Sequence, residues 1–147
     1  MYQNIKSISR PILLVEDEPS DIKMTEIAYR KTKLPYRLDV VIDGEQALEY
    51  IKECCDPLSF KPLPSLILLD LNLPKIDGRE VLQKLKEKEL TRKIPVVVLT
   101  TSVANSDVVA AYNSYCNSYL QKPLDPLDFI KLVNTVMGYW CHNVILP

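Results

Sequence analysis

The chain has 147 residues, of which 47% are hydrophobic and 25% charged, and carries a net charge of −1. That is mass enough for one domain with a real core. No apolar run approaches the roughly 20 residues that span a bilayer, and charges of both signs are interspersed, which excludes a dedicated nucleic-acid surface. Met1 to Arg10 has no apolar signal core, so a cytoplasmic protein is expected. Strand one is read over Pro11 to Val15. Helix one opens near Pro19, a residue suited to the first helical turn, and runs to Lys31. Strand two covers Tyr36 to Ile42, and Asp43-Gly44 turns the chain into helix two, whose Ala47, Leu48, Ile51, Cys54 and Cys55 share one helical face. A proline-rich loop (Pro57, Pro62, Pro64) leads to strand three, Ser65 to Asp70. Helix three starts near Gly78 with Val81, Leu82 and Leu85 inward, and strand four is Ile94 to Thr100. Helix four follows Asn105-Ser106, which can cap it, with Val108, Val109 and Tyr112 inward. Strand five is Ser118 to Gln121, and Asp125-Pro126 opens helix five.

Apolar runs alternating with helical patterns describe a parallel α/β sheet. Helix five carries two apolar rows, one of Ile130, Val133, Met137 and Trp140 and one of Phe129, Leu132, Val136 and Tyr139. A helix on a sheet needs only one stripe. The second row, Phe129, Leu132, Val136 and Tyr139, is therefore expected at a homodimer interface, or under an apolar tail, 139–147, folded back over it. The organisation expected is one domain over 1–147, with a core from about 11 to 138 and no output domain. The cysteines Cys54, Cys55, Cys116 and Cys141 make no CxxC pair, which argues against a zinc site and for reduced thiols.

The chemistry collects at strand ends, where open parallel sheets place their ligands. Glu16 and Asp17 follow strand one, Asp70 ends strand three, Thr100 ends strand four and Lys122 follows strand five. Glu16, Asp17 and Asp70 converge if strands one and three are neighbours. Their mutual repulsion calls for a hard cation with oxygen ligands. Magnesium suits, and manganese can substitute. Asp17 and Asp70 would bind it directly, the Asn72 carbonyl would complete the protein's share, and Glu16 would act through a water. Anionic Asp70 can then attack a phosphoryl group, with Lys122 paired to it and Thr100 donating a hydrogen bond. No general base is needed. Singly, each residue has an ordinary reading: Thr100 as a strand former, Tyr119 as core, the acids as complements to a helix N-terminus. Together and in this order they make a site.

These residues resemble a known family. The runs Leu13 to Asp17 (LLVED), Ile67 to Gly78 (ILLDLNLPKIDG), Ile94 to Thr101 (IPVVVLTT) and Lys122-Pro123 are similar to those of the response-regulator receiver domain, the phosphoacceptor of two-component signalling. The resemblance covers about Ile12 to Val136. It implies a doubly wound five-stranded sheet of flavodoxin-like order 2-1-3-4-5 with helices on both faces. It implies phosphorylation of Asp70 by a sensor histidine kinase, with Thr100 moving toward the phosphate and Tyr119 following inward. Leu71 to Lys75, Gly78 to Val81, Leu99 to Ser102 and the tail from Tyr139 look like the small regulators that partner cyanobacterial phytochromes, which dimerise. Thr101 stands where the family commonly has a smaller residue and bears on access of water to Asp70. A terminal switch and a relay intermediate remain open. A phosphatase with an aspartyl nucleophile would want a second acid at Asn72, and a nucleotide-binding module would want a glycine-rich loop, whereas the only glycines are Gly44, Gly78 and Gly138.

Overall fold

The computed structural model describes residues 10–147; the expectation about a signal core falls almost entirely on residues 1–9, outside the described ones. Five strands and five helices alternate: β1 (Ile12–Val15), α1 (Pro19–Thr32), β2 (Leu38–Val41), α2 (Gly44–Cys55), β3 (Leu66–Leu69), α3 (Gly78–Glu87), β4 (Val96–Thr100), α4 (Asn105–Asn113), β5 (Ser118–Gln121) and α5 (Pro126–Gly138). A π-helical turn, Tyr139–Asn143, extends α5. The strands form one parallel sheet in the order β2-β1-β3-β4-β5. This is the doubly wound order that the sequence resemblance implied.

Because successive side chains in a strand point to opposite faces, the sheet splits the core in two. Leu13, Val15, Ile67, Leu69, Val96 and Val98 pack with Ala47 and Ile51 of α2, Val81, Leu82 and Leu85 of α3 and Ala111 of α4. Ile12, Leu14, Leu66, Leu68, Val97 and Leu99 pack with Ala28 of α1 and Phe129, Val133 and Met137 of α5. The central strands β1, β3 and β4 are buried throughout, as parallel strands covered on both faces must be.

Side-chain caps fix the starts of α2, α3 and α5. Asp43 accepts from the Gln46 N–H, Asp77 from the Arg79 N–H, and Asp125 from the N–H groups of Leu127 and Asp128. Strand β2 stops at Val41, short of the expected Ile42, because the Ile42 N–H is taken by the Gln46 side chain instead of a neighbouring strand.

Two helical readings are corrected. Helix α4 begins at Ala104 as its N-cap, without a side-chain cap; Asn105 and Ser106 already lie in its first turn. Its buried contact is Ala111, while Val109 and Tyr112 are about half exposed. In α5, Phe129 is 1% exposed and belongs to the core row with Val133 and Met137, not to an outward row. The register explains this: 129, 133 and 137 stand four apart and share one ridge of the helix. Phe129 is therefore no dimer-interface residue. Leu132 and Val136 are half-buried and Tyr139 is 56% exposed. The tail turns back on its own chain: Cys141 is buried, and the Arg10 guanidinium donates to the carbonyls of Pro147, Leu63 and Pro64.

Candidate functional site

Register alone brings the site together. Val15 pairs with Leu69, so Glu16 and Asp70 leave the sheet side by side, and the Asp70 N–H donates to the Val15 carbonyl at 3.0 Å. Leu69 pairs with Val98, which puts Thr100 on the next strand beyond Asp70. Thr100 pairs with Gln121, so Lys122 follows at the same edge and its N–H bonds the Thr100 carbonyl at 2.8 Å. Glu16, Asp17 and Asp70 each offer a carboxylate oxygen within 4.8 Å of the others. Glu16 and Asp70 are buried, and Asp17 is exposed at the rim.

One buried ammonium serves this cluster. Lys122 Nζ donates to Glu16 Oε2 at 2.7 Å, Asp21 Oδ2 at 2.7 Å and Asp70 Oδ2 at 3.0 Å. The other oxygens of Glu16 and Asp70 are met by backbone: Glu16 Oε1 by the Glu18 N–H at 3.1 Å and Asp70 Oδ1 by the Asn72 N–H at 3.2 Å. Burial pushes the Glu16 carboxyl up to about 7, against the Lys122 hydrogen bond, and the Asp70 charge adds to the rise. For Lys122 burial works against the charge, but hydrogen bonds to Asp21 and Glu16 outweigh it and hold the ammonium above its ordinary value. An all-oxygen donor set, partly buried and poorer in positive than in negative charge, fits a hard divalent cation.

Thr100 is fully buried, and its hydroxyl accepts weakly from the Ser102 N–H at 3.4 Å. Thr101 and Asn72 are exposed beside the site. Tyr119 is half-buried, and its hydroxyl donates to the Ser102 carbonyl at 3.0 Å. That carbonyl belongs to a second network that spacing did not suggest. Ser102 Oγ donates to Asp107 Oδ2 at 2.6 Å, and the Arg79 guanidinium reaches Asp107 at 2.9 Å and Asp77 at 3.0 Å. Ser102 and then Arg79 hold the Asp107 carboxyl below its usual range. Asp21 also escaped the sequence reading, since an acid in the first turn of a helix is ordinary.

The described residues include no helix long and apolar enough to cross a membrane. A family model described as the response regulator receiver domain matches residues 12–134. Response regulator Rcp1 of Synechocystis sp. is 40% identical over 136 residues, 92% of each chain. The crystal structure of the Mn2+-bound form of Rcp1 superposes with a TM-score of 0.87 at 39% identity, covering 94% of this chain and 99% of the other. The phosphorylated cyanobacterial phytochrome response regulator RcpA superposes with a TM-score of 0.88 at 35% identity, covering 95% and 99%.

Proposed function

The chain belongs to the response regulator receiver domain family, and from that premise we propose that Asp70 is its phosphoacceptor, charged by the phosphohistidine of a phytochrome-type sensor kinase in the cytoplasm. The observation that carries the reading is the buried Lys122 ammonium bridging Asp70 and Glu16 at the C-terminal edge of the sheet. An Asp70 oxygen forms the new O–P bond as the donor N–P bond breaks, and the electron pair of that bond stays on the imidazole nitrogen. Asp17, Asp70 and the Asn72 carbonyl would hold magnesium or manganese, with Glu16 acting through a water, and the cation would supply neutralisation of the phosphoryl charge. Forming the acyl phosphate removes charge from the Asp70 carboxylate, so one Lys122 donor turns to a phosphoryl oxygen. Thr100 rotates its hydroxyl from Ser102 toward another. Tyr119, freed from the Ser102 carbonyl, follows inward, and the reshaped α4–β5 surface reads out the state.

The protein is thus a phosphoacceptor switch, with at most weak self-phosphorylation and self-dephosphorylation of its own. A homodimer is supported by the exposed apolar groups Val109 and Tyr112 of α4 and Leu127 and Tyr139 at the two ends of α5, with Leu132 and Val136 half-buried between the latter two in sequence. The phytochrome assignment is supported by likeness to Rcp1 and RcpA along nearly the whole chain. The experiment is phosphotransfer from radiolabelled kinases, phytochrome-type and unrelated, mixed singly with this chain. Rapid transfer from the phytochrome-type kinase alone is expected; equal or faster transfer from the unrelated kinases would remove that partner.

A further inference from the structure

An ammonium has three N–H donors and no acceptor, and in Lys122 all three are committed to carboxylates. The three acceptors are not equivalent. Glu16 and Asp70 also belong to the triad whose oxygens converge for a cation; Asp21 does not. Asp21 comes instead from the first turn of α1, its side chain 16% exposed and turned inward to Lys122 at 2.7 Å, closer than Asp70 at 3.0 Å. An acid that only complemented the helix N-terminus could lie in solvent, as Asp17 does. The turn that carries Asp21 is pinned from below: the hydroxyl of Thr25, 1% exposed, donates to the Asp21 carbonyl at 2.8 Å.

We propose that Asp21 is a positioning residue for phosphoryl transfer, a dedicated anchor that keeps the Lys122 ammonium from closing on the cation ligands Glu16 and Asp70. This rests on Asp70 being the acceptor. Without Asp21, the donor it occupies falls back on Glu16 and Asp70, the only other carboxylates bonded to Lys122 among the described residues. Ammonium and cation then compete for the same oxygens. With Asp21 present, Lys122 keeps one fixed partner while its other donors exchange between carboxylate and phosphoryl oxygen. The effect of Asp21 therefore passes through Lys122 and disappears with it.

The test is Mn2+ binding to the full chain, followed by calorimetry, in wild type, Asp21→Asn, Lys122→Met and the double variant. Asp21→Asn is isosteric and keeps one acceptor; circular dichroism checks the fold, and Asp21→Ala provides a second removal of the charge. Asp21→Asn should weaken Mn2+ about tenfold in the wild-type background and less than about twofold in Lys122→Met, the non-additivity expected of residues in one network. Labelling by phosphoramidate should slow in Asp21→Asn at low Mg2+ and recover at saturating Mg2+. Equal weakening in both backgrounds would overturn the proposal, because Asp21 would then act through its own charge. Unchanged Mn2+ affinity in Asp21→Asn and Asp21→Ala would overturn it as well. Failure of Asp70 as acceptor reads out separately, as label that persists in Asp70→Asn, and leaves the Mn2+ coupling intact.

Discussion

Gly78→Ala probes how tightly the acceptor is held. Gly78 is the first residue of α3, and its N–H donates to the Leu71 carbonyl at 2.9 Å. A Cβ built there would stand 2.2 Å from the Asp70 carbonyl oxygen, 2.6 Å from Leu71 Cα and 2.9 Å from the Leu71 carbonyl oxygen. All three obstacles are backbone, so no side-chain rotation relieves them, and the Asp70 carbonyl must retreat by more than an ångström. Leu71 is fully buried, which closes the way back. Overpacking costs about 1–3 kcal/mol, offset by at most about 1 kcal/mol for replacing a helical glycine, so a net loss of about 2 kcal/mol is expected. In a domain of this size that lowers Tm by about 4–8 °C. The peptide that shifts is the one carrying the nucleophile, and misplacement on this scale slows transfer about tenfold to a hundredfold. Urea unfolding followed by circular dichroism gives the first quantity, and labelling by phosphoramidate at saturating Mg2+ the second. A stability within about 0.5 kcal/mol of wild type, the range of an inert surface change, together with a wild-type labelling rate, would refute the packing argument.

Three further outcomes are expected. Asp17→Ala should weaken Mg2+ binding far more than Glu18→Ala, because Asp17 belongs to the converging triad and Glu18 does not; equal effects in a titration would move the cation elsewhere. Burial pushes the Cys141 thiol up to about 11, so about one thiol in a thousand is ionised at pH 8, and its alkylation should be slow there and accelerate as pH rises toward 11; mass spectrometry showing fast labelling at pH 8 would mean the tail opens. Wild type should sediment as a dimer at tens of micromolar and Val136→Asp, Tyr139→Asp as a monomer, whereas a monomeric wild type would leave only the folded-back tail.

The legible part of the molecule was its strands and their ends. The apolar run Leu66 to Leu69, between a proline-rich loop and a turn, reads as a strand buried on both faces, and such a strand delivers Asp70 to an edge where Glu16, Thr100 and Lys122 arrive for the same reason. Helix phase was harder. Helix α5 is apolar on so much of its circumference that periodicity gives it no unique inward direction and places Phe129, a core residue, in the outward row. Helix α4 is short, and its adjacent Val108 and Val109 point in different directions that only the packing of Ala111 resolves. Asp21 was hidden for another reason. Its partner Lys122 lies 101 residues away, and the pairing exists only once α1 and the β5–α5 loop share one edge.

The central claim is that Asp70 is the phosphoacceptor, and the most direct measurement is to locate the phosphoryl group. The chain is phosphorylated with phosphoramidate and Mg2+, the acyl phosphate is reduced with borohydride to homoserine, and the peptides are sequenced by mass spectrometry. Homoserine at position 70, absent from Asp70→Asn while its circular dichroism matches wild type, is the expected result. Homoserine at position 17, or at any aspartate other than 70 in the wild-type chain, would contradict it.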